Sequence, residues 1–182
     1  MPLNDKRFSY TIDVSQVGCH CNAAAYFSNM HTNVDPGEWG RYYCDANNVN
    51  GVWCPEYDIF EGNKHTMTVV LHSCNGTMDS CSSTSEWDEC DRGGCGTNAF
   101  NVDNNMMCPD ESCTINTNKP FTVSHHQTGS FVNAWFEQEG RTVNFNACND
   151  DAYISNMAQQ SFGGTVFTAS MWGKFCLNSV DF

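Results

Sequence analysis

The sequence predicts an all-β protein, an antiparallel sandwich or barrel, and three observations support this. Much of the chain divides into short segments in which apolar and polar residues alternate, the pattern of half-buried strands. Turns rich in glycine and asparagine separate these segments. Only residues 152–160 are plausible as a helix, and that stretch is short and weakly patterned. Many short strands with little helix are typical of antiparallel two-layer folds.

The first predicted strand, 8–14, alternates cleanly as Phe-Ser-Tyr-Thr-Ile-Asp-Val. The other predicted strands, in chain order, are 23–30, 54–61, 66–72, 114–124, 129–137, 141–146 and 164–172. Gln138-Glu139-Gly140 joins the strands on either side of it as a hairpin. Residues 32–51 and 73–114 are predicted loops, because they are rich in turn-forming residues and the second contains six cysteines among few apolar residues.

Length and charge limit what the protein can be. The 182 residues suit one domain with a real core, and we expect a single β-sandwich domain over residues 1–182. Eight Lys and Arg stand against 21 Asp and Glu, a formal net charge of −13. Nucleic acid and anionic membranes both require a positive surface, so neither is expected as a partner. A neutral polysaccharide is compatible with this charge.

The twelve cysteines predict an oxidising compartment, and therefore a secreted or extracellular protein. Disulfides are favoured over zinc, because Cys19-His-Cys21 has the wrong spacing for a zinc ribbon or finger. The sequon at 75–77 fits secretion. No apolar leader or membrane-spanning run is present, so the chain reads as a mature or excised form. No metal and no cofactor are expected.

Residues 54–61, Cys-Pro-Glu-Tyr-Asp-Ile-Phe-Glu, place three carboxylates on one predicted strand. Glu56 and Asp58 would share a face, whereas Glu61 would face the other way in a regular strand. One extra residue in a β-bulge between Asp58 and Glu61 would bring all three to one side. Three acids there repel one another unless a cation or a shared proton stabilises them, which indicates a functional site. The alternative is a solvated edge strand that carries charges.

Seven segments, in order, resemble glycoside hydrolase family 7, the cellobiohydrolase and endoglucanase type. The resemblance implies a concanavalin-like antiparallel β-sandwich, or jelly roll, here reduced in size and stapled by disulfides. The matching segments are Phe8 to Cys19, Asn22 to Met30, Tyr43-Cys-Asp45, Glu56-Tyr-Asp-Ile-Phe-Glu-Gly-Asn63, His72-Ser-Cys74, Cys90-Asp-Arg-Gly-Gly-Cys95 and Ser170-Met-Trp172.

By resemblance, Glu56 is the nucleophile, Glu61 is the general acid/base, and Asp58 holds and electrostatically tunes the nucleophile. Retaining hydrolysis requires two carboxyls about 5–5.5 Å apart, one ionised and one protonated. The nearby charges of Asp58 and Glu56 should raise the pKa of Glu61 and keep it protonated.

The resemblance also implies residues that bind substrate: Asn22, Tyr26 and Asp45 in the glycone subsites, His72 near the acid/base, and Trp172 stacked on a sugar ring. An aromatic face suits the apolar C–H surface of a sugar. Ordinary core packing or turn capping would explain Asn22, Tyr26, Asp45 and Trp172 equally well, and His72 could be a strand-end histidine without a role.

Three disulfides are implied by the resemblance, Cys44–Cys54, Cys74–Cys90 and Cys95–Cys148. Cys108–Cys113 is expected as a local loop staple. Four cysteines remain unassigned: Cys19, Cys21, Cys81 and Cys176. A further bridge of the family beside the acidic strand is expected to be lost as a pair, because Trp53 stands where one of its cysteines belongs.

The family's members are far longer, and their first third has no counterpart in this chain. Tunnel-forming loops are short or missing, so an open cleft that acts inside chains is expected, as in a secreted retaining endo-β-1,4-glucanase acting on cellulose-like β-glucan. The alternative is a non-catalytic polysaccharide-binding or cell-wall structural protein on the same fold. The missing strands would expose sheet edges, which a partner chain or a second copy could cover. A calcium site among Asp88, Glu89, Asp91 and Asp103 is disfavoured, because their spacing is irregular.

Overall fold

A computed structural model describes residues 5–30, 43–49, 51–76, 87–160 and 164–173. These residues form thirteen strands and two helices. The elements are β1 Lys6–Ile12, β2 Cys21–Ser28, β3 Glu56–Gly62, β4 Met67–His72, β5 Cys74–Gly76, β6 Trp87–Cys90, β7 Cys95–Asn98, α1 Ala99–Val102, β8 Met107–Cys108, β9 Ile115–Asn116, β10 Phe121–Gln127, β11 Val132–Gln138, β12 Arg141–Asn146, α2 Asp151–Gln160 and β13 Val166–Gly173.

Two antiparallel sheets carry the fold, which confirms the predicted all-β class. One sheet has the strand order β1-β10-β11-β12 and the other β13-β2-β3-β4-β7. The core lies between them, where large side chains such as Phe27 and Leu71 of one sheet and Phe121 and Phe136 of the other are at most 2% exposed. Period-two alternation predicted strands such as β4 and β11, because each of them buries only one face, whereas the central strand β3 is buried on both faces.

The 138–140 hairpin has the form that the sequence predicted. Gln138 pairs with Arg141, and the two residues between them both have positive φ, 49° for Glu139 and 79° for Gly140. Positive φ at both central positions matches the right-handed twist of the flanking strands, and glycine adopts it without a steric cost. The helix predicted at 152–160 is also present, as α2.

Two regions differ from prediction. The expected strand 114–124 is interrupted between β9 and β10. The Lys119 N–H donates to the Asn116 carbonyl oxygen and closes a turn there, and the following Pro120 has no N–H to donate to a ladder. The described part of the 73–114 loop forms β5 to β8 and the short helix α1. These strands are two to four residues long, too short for alternation to identify them. Most of the predicted 32–51 loop lies outside the described residues.

Four disulfides join the expected pairs: Cys44–Cys54, Cys74–Cys90, Cys95–Cys148 and Cys108–Cys113. Of the four unassigned cysteines, Cys21 is disulfide-bonded and Cys19 is an exposed free thiol. Cys81 and Cys176 lie outside the described residues. Two of the bridges, at Cys44–Cys54 and Cys74–Cys90, lie in one small buried cluster next to β3 and support the loops around it.

Unpaired sheet edges are possible contact sites for a partner chain. Within the described ranges the sheet edges are β1 and β12 in one sheet and β13 and β7 in the other. A covering partner chain remains a prediction. No helix in the described part of the chain is long and apolar enough to cross a membrane.

Candidate active site

Strand β3 contains the predicted bulge. On the β4 side Asp58 pairs with Val70 and Glu61 with Thr68, so that Ile59 and Phe60 together face the single residue between Val70 and Thr68. On the β2 side the register also shifts, leaving Ile59 without a partner. The extra residue reverses the alternation, and Glu61 lies on the same side as Glu56 and Asp58. Both bulge residues are fully buried, which anchors the irregularity in the core.

A cavity of about 700 Å³ lies over this face of the sheet. Strand β3 crosses its floor, β4 adds His72, and β2 adds Tyr26. Strand β13 and two loops form the rest of the wall. The complete lining is Tyr26, Tyr43, Asp45, Ala46, Asn47, Glu56, Asp58, Glu61, His72, Arg92, Ser170, Met171 and Trp172.

All eight residues that the sequence singled out for the site are therefore brought together. Seven of them line the cavity, and the eighth, Asn22, donates a hydrogen bond from Nδ2 to Glu61 Oε1 at 3.0 Å. Trp172 is 48% exposed, so part of its ring surface is available to a ligand. It pairs with Asn22 in the β13–β2 register, which places it near Glu61.

The carboxylates of Glu56 and Asp58 are buried, and each has a hydrogen-bond or ion-pair partner. Glu56 is 6% exposed and accepts a hydrogen bond at Oε2 from the Ala46 N–H at 3.1 Å. Asp58 is 4% exposed, and its Oδ2 lies 3.1 Å from His72 Nε2. Each buried acid thus has a donor, as buried polar groups require.

His72 also contacts the loop before β7. Its Nδ1 lies 2.9 Å from the carbonyl oxygen of Asp91, which can only accept, so Nδ1 carries a hydrogen. Nε2 faces the Asp58 carboxylate, so the ring either carries a second proton or takes one from Asp58. Burial lowers the pKa of His72, but the hydrogen bond and charge of Asp58 outweigh it and raise the pKa to about 9. This raised pKa favours the imidazolium form of His72 beside Asp58.

Burial and crowding raise the pKa values of all three carboxyls. Burial, followed by the charge of Asp58, raises the pKa of Glu56 to about 8, against the Ala46 hydrogen bond, which lowers it. Burial raises the pKa of Asp58, and His72 opposes that rise. The pKa of Glu61 is raised as the sequence predicted, although burial contributes more than Asp58, and the bond from Asn22 lowers it. The site therefore retains protons at a pH where ordinary carboxyls are ionised.

A chain of hydroxyls connects the floor to the 43–47 loop. The Tyr26 and Tyr43 hydroxyls lie 2.6 Å apart, and Tyr43 donates to Asp45 Oδ2 at 2.8 Å. Because Tyr43 gives its hydrogen to the carboxylate, Tyr26 must donate to Tyr43. Asp45 Oδ1 in turn accepts from the Asn47 N–H at 2.7 Å. The loop that carries Asp45 is fastened to β3 by Cys44–Cys54.

Sequence reasoning missed several lining residues. Tyr43 belongs to the matched Tyr43-Cys-Asp45 segment, but the sequence analysis did not predict it as a substrate-binding residue. Its position two residues before Asp45 was the available signal. Arg92, which lies 20 residues after His72 of β4, could not be placed without the fold. The others missed are Ala46, Asn47, Ser170 and Met171. Among the described residues no group of three or more His, Cys, Asp or Glu side chains could hold a metal ion.

The fold and the site together define an antiparallel two-sheet β-sandwich with a carboxylate-lined cavity on one sheet. Residues 43–180 match the family described as glycosyl hydrolase family 7. The chain belongs to that family.

Two curated relatives are endoglucanases by name. A probable endo-β-1,4-glucanase of Aspergillus clavatus is 31% identical over 147 residues, covering 66% of this chain and 34% of the relative. Endoglucanase 1 of Humicola insolens is 28% identical over 195 residues, covering 88% of this chain and 48% of the relative. The chain thus spans between a third and a half of the length of these relatives.

Solved structures show the same fold. The native endocellulase EGI of Humicola insolens superposes with a TM-score of 0.77 at 24% identity, covering 94% of this chain and 57% of that one. A family 7 cellobiohydrolase of Daphnia pulex gives 0.75 at 20% identity, with 94% and 58% covered. These matches confirm the concanavalin-like jelly roll that the motifs predicted.

Proposed function

We propose that the protein is a retaining endo-β-1,4-glucanase that hydrolyses cellulose-like β-glucan. The observation that carries this proposal is the bulge in β3, which brings Glu56, Asp58 and Glu61 into one cavity. In a non-catalytic binding protein, substitutions that remove one of these clustered carboxylates would be favoured, because neighbouring like charges destabilise the fold. The presence of all three therefore supports an enzyme. The endoglucanase names of the family relatives agree with this substrate class.

In the first step, the ionised Glu56 carboxylate attacks the anomeric carbon and forms a covalent ester with the sugar. The bond to the leaving oxygen breaks as Glu61 transfers its proton to that oxygen. In the second step, Glu61, now ionised, takes a proton from water, and the resulting hydroxide attacks the anomeric carbon and releases Glu56. Each carboxyl returns to its starting state, and the product retains its anomeric configuration.

The mechanism requires one proton on Glu61 and none on Glu56. Because burial raises the pKa of Glu56 to about 8, the reactive form is its ionised fraction, which grows as the pH rises toward 8, and two neighbours favour that form. The His72–Asp58 ion pair supports it, since the imidazolium offsets one of the negative charges beside Glu56. The Ala46 N–H supports the ionised form of Glu56, because it is a donor to that carboxylate. Burial raises the pKa of Glu61 and supports its protonated form.

The proposal also includes an open substrate cleft and a secreted location. Trp172 and Met171, at the edge of the cavity, are 48% and 36% exposed, which supports access for an internal stretch of a polysaccharide. Four disulfides among the described residues support an oxidising, extracellular location.

The decisive experiment measures reducing-end release from soluble β-1,4-glucan and mixed-linkage glucan. We compare the parent with Glu56→Gln and, as a matched control, with Glu137→Gln, an exposed acid on the other sheet. We expect release by the parent and by Glu137→Gln, and loss of about 10³-fold or more for Glu56→Gln. Equal release by the parent and Glu56→Gln would reject Glu56 as nucleophile. Binding without release by the parent would favour the polysaccharide-binding alternative.

A further inference from the structure

Arg92 is a cation in the wall of a cavity that also contains four carboxylate side chains, and the proposed mechanism does not use it. Its guanidinium carbon lies 5.2 Å from the ring centroid of Trp53, and its Nη2 makes a long contact of 3.5 Å to the Asn47 carbonyl oxygen. The side chain is exposed. Most of its five N–H donors are therefore available to a ligand.

The other described arginines use their charge within the protein. Arg7 pairs with Glu137 at 3.1 Å, and Arg141 lies 3.5 Å from Glu139. Among the described residues Arg92 makes no ion pair, although acids line the same cavity. An arginine whose role was structural would gain more from a carboxylate partner than from one long carbonyl contact.

The turn that carries Arg92 is braced from several directions. Asp91 accepts hydrogen bonds from the Gly93 N–H, from the Tyr153 hydroxyl and, at its carbonyl oxygen, from His72. Disulfides anchor the cysteines on either side of the turn, Cys90 and Cys95. The position of Arg92 is therefore fixed by its backbone and by the face of Trp53, as a binding group requires.

Arg92 lies between the catalytic cavity and a second cavity of about 440 Å³, and it lines both. The second cavity is lined mainly by polar groups, among them Ser73, Asn75 and Glu89. In the sheet order Trp172 lies on the edge strand β13, whereas Arg92 lies three residues before the opposite edge strand β7. A glucan chain that lies across the sheet from Trp172 and passes the carboxylates would next meet Arg92.

We propose that Arg92, supported by Trp53, forms a sugar subsite at the end of the cleft opposite Trp172, where its N–H groups donate to the hydroxyls of a neutral glucan unit. The subsite continues into the second cavity. A neutral unit is favoured over an acidic sugar, because Glu89 and Asp91 line that cavity and would repel a carboxylate. This inference rests on the proposed function for its substrate class.

The test compares substrates of increasing length, using Arg92→Ala, Arg92→Lys and the matched control Arg7→Ala. Arg7 has the same arginine-on-tryptophan arrangement, 4.5 Å from the Trp135 centroid, but lies on the other sheet. We expect Arg92→Ala to lower kcat/KM about ten-fold on long β-1,4-oligosaccharides, and much less on the shortest substrate cleaved. Arg92→Lys should recover part of the loss, and Arg7→Ala should match the parent.

An equal loss at every length would show that Arg92 is structural, and no loss at any length would also overturn the subsite. Calorimetric binding of the same oligosaccharides to proteins that carry Glu56→Gln separates this inference from the proposed function. The parent could fail to hydrolyse any substrate and still bind longer oligosaccharides more tightly. If Arg92→Ala weakens that binding, the subsite is supported although the proposed function is not. A larger loss on oligosaccharides that contain glucuronic acid than on neutral ones would overturn the neutral-sugar assignment.

Discussion

His72 Nε2 lies 3.1 Å from Asp58 Oδ2, and the opposite nitrogen of the same ring donates to the Asp91 carbonyl oxygen. The ring is thus fixed at both ends, with a positive charge directed at the middle carboxylate of β3. This charge offsets one of three neighbouring acids without using a proton that hydrolysis requires. The ring also connects β3 to the turn that carries Arg92.

The first prediction concerns the titration of His72. Its pKa, raised to about 9, should fall by about 1–3 pH units in Asp58→Asn, because the amide removes the charge that stabilises the imidazolium. The ring resonances followed by NMR across pH 5 to 10 measure this directly. His125 is an internal control: burial lowers its pKa to about 3, and it bonds Tyr57 between the sheets, so it should stay neutral in both proteins. An unchanged His72 would show that Asp58 does not set its charge.

The second prediction separates the roles of the two outer carboxyls. Glu61→Gln should lose most activity on unmodified oligosaccharides, because their leaving oxygen needs a proton. It should lose far less on aryl glycosides whose acidic phenols leave without protonation. Glu56→Gln should lose activity on both substrates, since neither can react without the nucleophile. The ratio of kcat/KM between the two substrates is the measurement.

The reverse pattern, in which Glu56→Gln retains activity on the activated substrate and Glu61→Gln does not, would exchange the two roles. Equal losses by both variants on both substrates would contradict the division of labour altogether.

The bulge was predictable from sequence because three acids at positions 56, 58 and 61 fit one face only if the alternation is broken. Arg92 and Tyr43 were not predictable as site residues. Their placement depends on two loops that disulfides fold back over the sheet, and local patterns contain no information on where such loops close. Trp53 illustrates the same limit: the sequence showed a missing cysteine, but only the structure shows Arg92 stacked on the replacement.

The third prediction concerns stability and pH. The pKa of Glu56 is raised from its ordinary value of 4.5 to about 8 in the folded protein, so the folded state binds this proton more tightly than the unfolded state. The resulting stability is fully present below pH 4.5 and is lost as the pH rises toward 8, by at most about 1.4 kcal/mol per pH unit. His72, whose folded pKa is also raised, adds a loss between about pH 6.5 and 9.

Because glutamine does not titrate, Glu56→Gln should remove the contribution of Glu56 to the pH dependence of the free energy of unfolding between pH 4.5 and 8, and should leave the contribution of His72 above about pH 6.5. Denaturant unfolding at several pH values, with the disulfides intact, provides the measurement. Glu137→Gln, which changes an exposed acid, should keep the slope of the parent. A slope that Glu56→Gln leaves unaltered would mean that another group binds the proton.

The fourth prediction concerns the hydroxyl chain from Tyr26 through Tyr43 to Asp45. Tyr43→Phe removes the donor at 2.8 Å from Asp45 Oδ2 and the acceptor of the Tyr26 hydroxyl, both within the cavity wall. Because this chain orients substrate-facing groups rather than reacting atoms, KM should rise several-fold while kcat changes less. The lost hydrogen bonds should lower the free energy of unfolding by about 1 kcal/mol.

A double-mutant cycle with Tyr26→Phe isolates the coupling. If the two hydroxyls act as one chain, the double variant should show a smaller effect on KM than the sum of the two single variants, since either substitution alone breaks the chain. Strict additivity would mean that Tyr26 and Tyr43 contact the substrate independently. A fall in kcat larger than the rise in KM would instead place Tyr43 in the chemical step, where its contact with Asp45 would act on the charge beside Glu56.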